Sequence, residues 1–199
     1  MEQFITLYLK LFFMMTPFFV LSVFLIMSKN LIRSEKQRII LKLGVAVIVS
    51  SLIFLIFGQY IFSLFGITLD AFKVGAGTVL FLSALEMIKG DSEIPDATNK
   101  RDGDFAIVPL AIPITVGPGM IGILMVIGAE LKTVTDIFIV SLSLISAVIS
   151  LMLVLLISNK IQRLLGQQGL EILPKITGLF VSAIGAQIVF SGINGFLGN

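Results

Sequence analysis

Between Val108 and Gly122 the chain reads VPLAIPITVGPGMIG, placing prolines at 109, 113 and 118 and glycines at 117, 119 and 122 within one apolar stretch. A proline inside a helix lacks an N–H and displaces the carbonyl four residues earlier, so in an α-helical register Pro113 and Pro118 would strip Pro109 and Ile114 of their amide partners. Hydrocarbon cannot solvate a bare carbonyl, and irregular backbone persists at membrane depth only against protein or a watered cavity. Thr115 to Gly119 is therefore expected to face the interior of a helix bundle. Gly117-Pro118 reads as the restart of a half-helix, and so does Thr16-Pro17, with Thr as N-cap and Pro in the first turn. Each restart would leave amides without helical acceptors (Phe18, Phe19, Gly119, Met120) and turn the positive end of a helix dipole inward. The chemistry that suits such ends is capture of a carboxylate or other anion. Glycines at 117, 119 and 122 would let a ligand approach the backbone closely.

Other polar groups inside apolar stretches are few. Gln187 falls near the middle of the last one and is read as a contact either to a solute or to a neighbouring helix. Ser50 and Ser51 lie mid-span in the second stretch, with Gln59 toward its far end. Gly178, Ser182 and Ala186, and likewise Ser143, Ser146 and Ser150, have the spacing of close-packing faces. Lys73, Glu86 and Lys175 sit close enough to span ends to snorkel, which leaves gating by the two lysines open. No Asp or Glu lies at a span centre, so no carboxylate proton relay is expected; sodium coupling through backbone carbonyls at the breaks and no coupling at all both stay open. The substrate-binding candidates are thus Thr16, Pro17, Thr115, Gly117, Pro118, Gly119 and Gln187, with no cofactor and no metal.

The elements that must position these residues follow from composition. Of 199 residues, 57% are apolar and 13% charged, which water cannot cover as a soluble domain. The chain reads as a single all-α transmembrane domain. Absence of cysteine excludes disulfides, thiolate catalysis and cysteine metal sites, and absence of histidine removes imidazole bases and the usual haem and zinc ligands. No enzymatic activity is expected. The net charge of +2 is a local bias of one membrane face and does not point to nucleic acid.

Six apolar stretches are long enough to cross hydrocarbon about 30 Å thick. They run near Phe4–Ser28, Ile39–Phe65, Leu69–Ile88, Phe105–Ala129, Ile137–Ser158 and Leu173–Leu197. Continuous apolar runs of this length exclude barrel strands. The first lacks a basic leader and a small-residue cleavage pattern, so it is expected to remain in the mature chain. Of the 14 Lys and Arg residues, Lys10, Lys73 and Lys132 fall on the N-terminal face and the rest on the opposite one. That bias predicts both termini outside the cytoplasm, with the basic stretch Lys29 to Lys42 near anionic headgroups.

A charged loop, residues 90–104, divides the chain into halves 1–90 and 105–199 of three spans each. Three landmarks recur: Thr16-Pro17 with Gly117-Pro118, Phe65-Gly66 with Leu165-Gly166, and Lys73 with Lys175, displaced by 101, 100 and 102 residues. An odd number of spans per half makes the second copy cross in the opposite sense, an inverted 3+3 repeat with broken first and fourth helices.

The runs PLAIPITVGPGMIGILMVIGAE, FGITLDAFKVGAGTVLFLSALEMIKG and ITGLFVSAIGAQIVFSGI resemble the MarC family of bacterial inner-membrane proteins, over nearly the whole chain. The resemblance implies an inner-membrane protein with six helices in an inverted arrangement and transport of small neutral amino acids. The family's Asn-Pro-x-Gly-x-x-Pro pattern in the first span is here Thr16, Pro17, Phe18, Phe19, Val20, Leu21 and Ser22, of which only Pro17 matches. Phe19 stands in a glycine's place and closes space that a ligand could use. The expected function is a secondary transporter of a small polar solute working by alternating access; its rival is a non-transporting scaffold or regulatory component with a degenerate site.

Overall fold

Pro17 has no amide hydrogen to offer a helix, and the first span breaks there. The computed structural model describes residues 2–90 and 104–197, without the side chains of Gln59, Ile61, Phe62, Ser63, Asp104 and Gln167. Helix α1 (Glu2–Met14) ends in a tight turn in which the Thr16 amide donates to the Phe13 carbonyl, and α2 (Pro17–Met27) restarts at an angle of 40°. Thr16 takes up the change of direction with φ 48° and ψ 56°, the one left-handed residue other than glycine among those described.

Helix α3 (Arg33–Phe65) has 33 residues, and at about 1.5 Å per residue it outruns the hydrocarbon. It begins six residues before the predicted span, its first turns carrying the basic residues beyond the apolar stretch. Thr68 caps α4 (Leu69–Lys89) by accepting from the Ala71 amide, and Gly90, left-handed at φ 85°, ends it. The predicted loop 90–104 lies outside the described residues between Asp91 and Gly103.

The second half opens with a short 3-10 turn, Asp104–Ala106, and an irregular wide-turned coil, Ile107–Thr115. Val108 and Ile112 each precede a proline and are pushed out of helical geometry, to φ −125° and −131°. Helix α5 (Pro118–Glu130) then leaves at 61°. A reciprocal capping box, Thr133 with Asp136, starts α6 (Val134–Leu156). Helix α7 (Ser158–Leu197) bends at Gly166, and its apolar part runs from Gln168, earlier than the predicted Leu173. Among the described residues four helices are long and apolar enough to cross a membrane, or up to six if each bent pair is one span.

The two halves repeat one design. Breaks at Thr16 and Gly117 correspond, and Gly66 and Gly166 are left-handed at φ 63° and 65°, a geometry that glycine adopts without Cβ strain. The third helix of each half, α4 and α7, pack antiparallel, as inversion requires. Gly77 and Gly185 form their central contact: a Cβ on either would lie 2.9 Å from the other's carbonyl oxygen. Gly178 rests on Ala84 and Gly192 on Asp70, so small residues let the backbones approach along the whole seam. Gly178 thus packs as its spacing suggested, whereas Gly185 carries the register in place of Ser182 or Ala186.

Helix α1 lies against α6, where Tyr8 and Ser150 hydroxyls share a hydrogen bond of 2.9 Å and Ser143 donates to the Phe4 carbonyl at 3.4 Å. The serine face of α6 is a packing face. Buried Leu11, Phe24, Leu43, Leu110, Leu124 and Leu144 fill the centre, while Val49, Ile53, Leu153 and Phe190 remain exposed on the outside. Lipid suits such a surface as well as it suits the core.

Candidate functional site

The two breaks converge on one cavity of about 640 Å³. Thr16 and Phe19 enter it from the first half and Pro113, Thr115, Gly117, Pro118 and Gly119 from the second, with Leu80, Ser83 and Glu86 of α4 along one side. Residues 101 positions apart in sequence thereby share one space, which is what an inverted repeat with its site on the pseudo-axis requires.

The details of the breaks differ from the expectation. Thr16 does not cap α2 through its side chain; it contributes its carbonyl, which accepts from the amides of Phe19 and Val20, each at 3.0 Å. The Phe19 amide is therefore taken. The coil of the second half is not α-helical, and the bonds across the break join residues five positions apart. Leu110 accepts from the Thr115 hydroxyl at 2.7 Å and Ala111 from the Val116 amide at 2.8 Å. Thr115, 1% exposed, thus splices the break together.

Helix α5 starts as expected. Its first regular bond runs from the Ile121 amide to the Gly117 carbonyl at 2.9 Å, and Gly119 and Met120 precede it with no backbone acceptor among the described residues. Both line the cavity. Gly119 is also a packing residue, because a Cβ there would lie 3.0 Å from the Leu80 Cα. Its small size serves the approach of α5 to α4 as much as any ligand.

Gln187 is a correction. It is exposed on α7 and lines neither cavity, so it is not part of this site. Mid-span position gave its depth, but helix rotation, set by the glycine seam against α4, turns it outward. Ser50 donates to the Ala46 carbonyl at 2.7 Å within its own helix, and Ser51 is buried with an unpartnered hydroxyl away from the cavity. The side chain of Gln59 lies outside the described residues.

Sequence reasoning missed the contribution of α4. Leu80, Ser83, Ala84 and Met87 follow the spacing of one helix face, and Glu86 and Lys89 join them at its end. That face was legible as a pattern, although nothing local marked it as cavity rather than lipid. Phe19, foreseen as an obstruction, stands between this chamber and a second cavity of about 710 Å³ nearer the basic face; Met87 and Lys89 also border both. Among the described residues no group of three His, Cys, Asp or Glu could hold a metal ion.

An all-helical, multi-span architecture with paired mid-span breaks now meets the match in sequence, in which residues 1–197 of this chain fit the MarC family of integral membrane proteins. This chain belongs to the MarC family. Similar proteins include UPF0056 membrane protein MJ1677 of Methanocaldococcus jannaschii, 32% identical with 99% of this chain and 98% of the relative covered. A UPF0056 membrane protein of Aquifex aeolicus is also 32% identical, over 99% and 97% of the two chains. UPF0056 membrane protein YhcE of Escherichia coli is 28% identical over 81% and 77%. No solved structure matches. Membership makes the lipid bilayer this protein's solvent.

Proposed function

We propose that this MarC family member is a secondary transporter of a small polar solute, with small neutral amino acids as the leading class, and that it is not an enzyme. One observation carries the reading: both helix breaks, one from each inverted half, line the same 640 Å³ chamber. That volume lies within the usual range of small-molecule sites, about 300–1,000 Å³. The lining offers groups of both signs. Unpaired amides of Gly119 and Met120 at the α5 N-terminus, with Lys89 beyond, suit a carboxylate, and Glu86 suits an ammonium group. A zwitterion with a short side chain fits that division.

Phe19, Met87 and Lys89 border both this chamber and the cavity on the basic face, and the charge bias favours that face as the cytoplasmic one, with both termini outside and a bacterial chain in the inner membrane. Alternating access then follows from rocking one half against the other about the shared chamber. Coupling to an ion is left to experiment. Purified protein in liposomes, offered glycine, alanine, serine and related solutes, is expected to catalyse uptake or exchange of at least one. Folded protein that moves none of a broad panel overturns the reading in favour of a scaffold. Bulky substitution of Gly119 is a poor test, since it also collides with Leu80.

A further inference from the structure

The second cavity, about 710 Å³, gathers four ammonium groups from four helices: Lys29 just past α2, Lys36 in the first turns of α3, Lys89 at the end of α4 and Lys175 on α7. Among the described residues Glu171 is the one carboxylate in its lining. Among the described residues the ion pairs both belong to Lys73, so none of these four lysines has a protein counter-ion there. The usual gathering of basic residues on one membrane face explains their depth. It does not explain why they converge on one cavity.

The inverted repeat supplies a comparison. Lys175 corresponds to Lys73, and Lys29 lies 101 positions before Glu130, the displacement that relates the two breaks. On the far face Lys73 and Glu130 meet in an ion pair at 2.7 Å. On the basic face the corresponding positions carry two lysines, and both line the cavity. Where one copy of the design satisfies its cation internally, the other puts a second cation in the carboxylate's place. Like charges sharing one space repel unless an anion sits between them.

We infer that this vestibule is an oxyanion site, in which Lys29 and Lys175 take the place of an internal ion pair by binding a carboxylate or phosphate between them. Lys36 and Lys89 complete the positive field, and the side-chain amides of Asn159 and Gln162 on the same lining supply neutral donors. The anion can arrive as a soluble ion from water or as the phosphate of an acidic lipid headgroup reaching in from the side. Neither source requires that anything cross the membrane, so the site stands or falls independently of transport.

The test uses the purified, delipidated full chain and follows its thermal unfolding. Inorganic phosphate and acetate are titrated in neutral detergent against chloride at matched ionic strength, and nanodiscs of phosphatidylcholine are compared with ones containing phosphatidylglycerol. Wild type is expected to show a saturable rise in midpoint with at least one probe. The Lys29→Gln/Lys175→Gln double variant should bind about tenfold more weakly, and Lys29→Arg/Lys175→Arg should retain the response. Lys132→Gln, the loss of one charge on the other face, should behave as wild type. Saturation by phosphate or acetate assigns a soluble ion; a response to phosphatidylglycerol alone assigns a headgroup. No shift beyond the chloride control, or an undiminished response in the folded double glutamine variant, overturns the proposal.

Discussion

Lys73 on α4 reaches Glu130 at the end of α5 with Nζ 2.7 Å from Oε1, joining the first half of the repeat to the second at the face opposite Lys89. Its Nζ also lies 3.8 Å from an Asp70 carboxylate oxygen within its own helix. Lysine here is mostly covered, at 13% exposure, while Glu130 is half exposed at 51%. The pair closes the bundle on the side away from the basic cavity, where simple snorkelling of Lys73 was the first expectation.

Breaking that pair should loosen one face more than it destabilises the fold. A pair this exposed contributes no more than about 1 kcal/mol, so Lys73→Gln or Glu130→Gln should change the unfolding midpoint little. The chain has no cysteine, so a single one at Ile127 reports on this end of α5 without background. Labelling by a water-soluble maleimide is expected to quicken roughly two- to fivefold in either variant, matching the strength of such a pair. Unchanged labelling would show that the ion pair does not hold this face closed.

Phe19 stands between the two cavities, and removing its ring should connect them. In Phe19→Ala a cysteine placed at Ser83, within the inner chamber, should react faster with a membrane-impermeant thiol reagent added from the basic face. Phe19 is half-buried, so the cost is expected to be about 1–2 kcal/mol, below that of a fully buried phenylalanine. Equal reactivity with and without the ring would mean that Met87 and Lys89 form the constriction.

Backbone contact at Gly128 gives a sharp stability test. A Cβ there would run into the Leu55 carbonyl of α3, which cannot give way as a side chain could. Gly128→Ala is expected to destabilise by roughly 1–3 kcal/mol, read as a lower unfolding midpoint in detergent. Gly75 in α4 has open space around it, so Gly75→Ala should be neutral or stabilising by up to about 1 kcal/mol. Similar effects at both positions would contradict the packing of α3 on α5.

At Thr115 the hydroxyl matters more than the shape. Thr115→Val keeps the branched side chain and leaves the buried Leu110 carbonyl without its donor, at a cost of about 1–3 kcal/mol. Thr115→Ser keeps the donor and should lose clearly less. If valine and serine variants unfold alike, the 2.7 Å bond does not hold the break.

Hydropathy and proline chemistry made much of this protein legible before any coordinates. The breaks fell at Thr16 and Gly117 because a missing N–H is a local fact that no partner can repair. Gly66 and Gly166 were legible as landmarks, and both take a positive φ, 63° and 65°. The candidate site was readable in part. Thr16, Thr115, Gly117, Pro118 and Gly119 share the cavity and Pro17 is buried without lining it, but the roles of Thr16 and Thr115 depended on backbone angles that sequence does not display. Gln187 went astray because depth along a span is a count of residues, whereas its facing depends on which neighbour the helix meets.

Sequence by itself determined that the chain is an all-helical membrane protein and where its helices break. These follow from the transfer of side chains into hydrocarbon and from backbone groups that each residue does or does not carry. Tertiary structure alone decided that both breaks open into one chamber, that Lys73 finds Glu130, and that Lys29 and Lys175 line one cavity with no ion pair of their own among the described residues. Those relations depend on how each helix is rotated about its axis, and rotation is set by close contacts between distant segments, such as Gly77 against Gly185, which neither helix encodes alone.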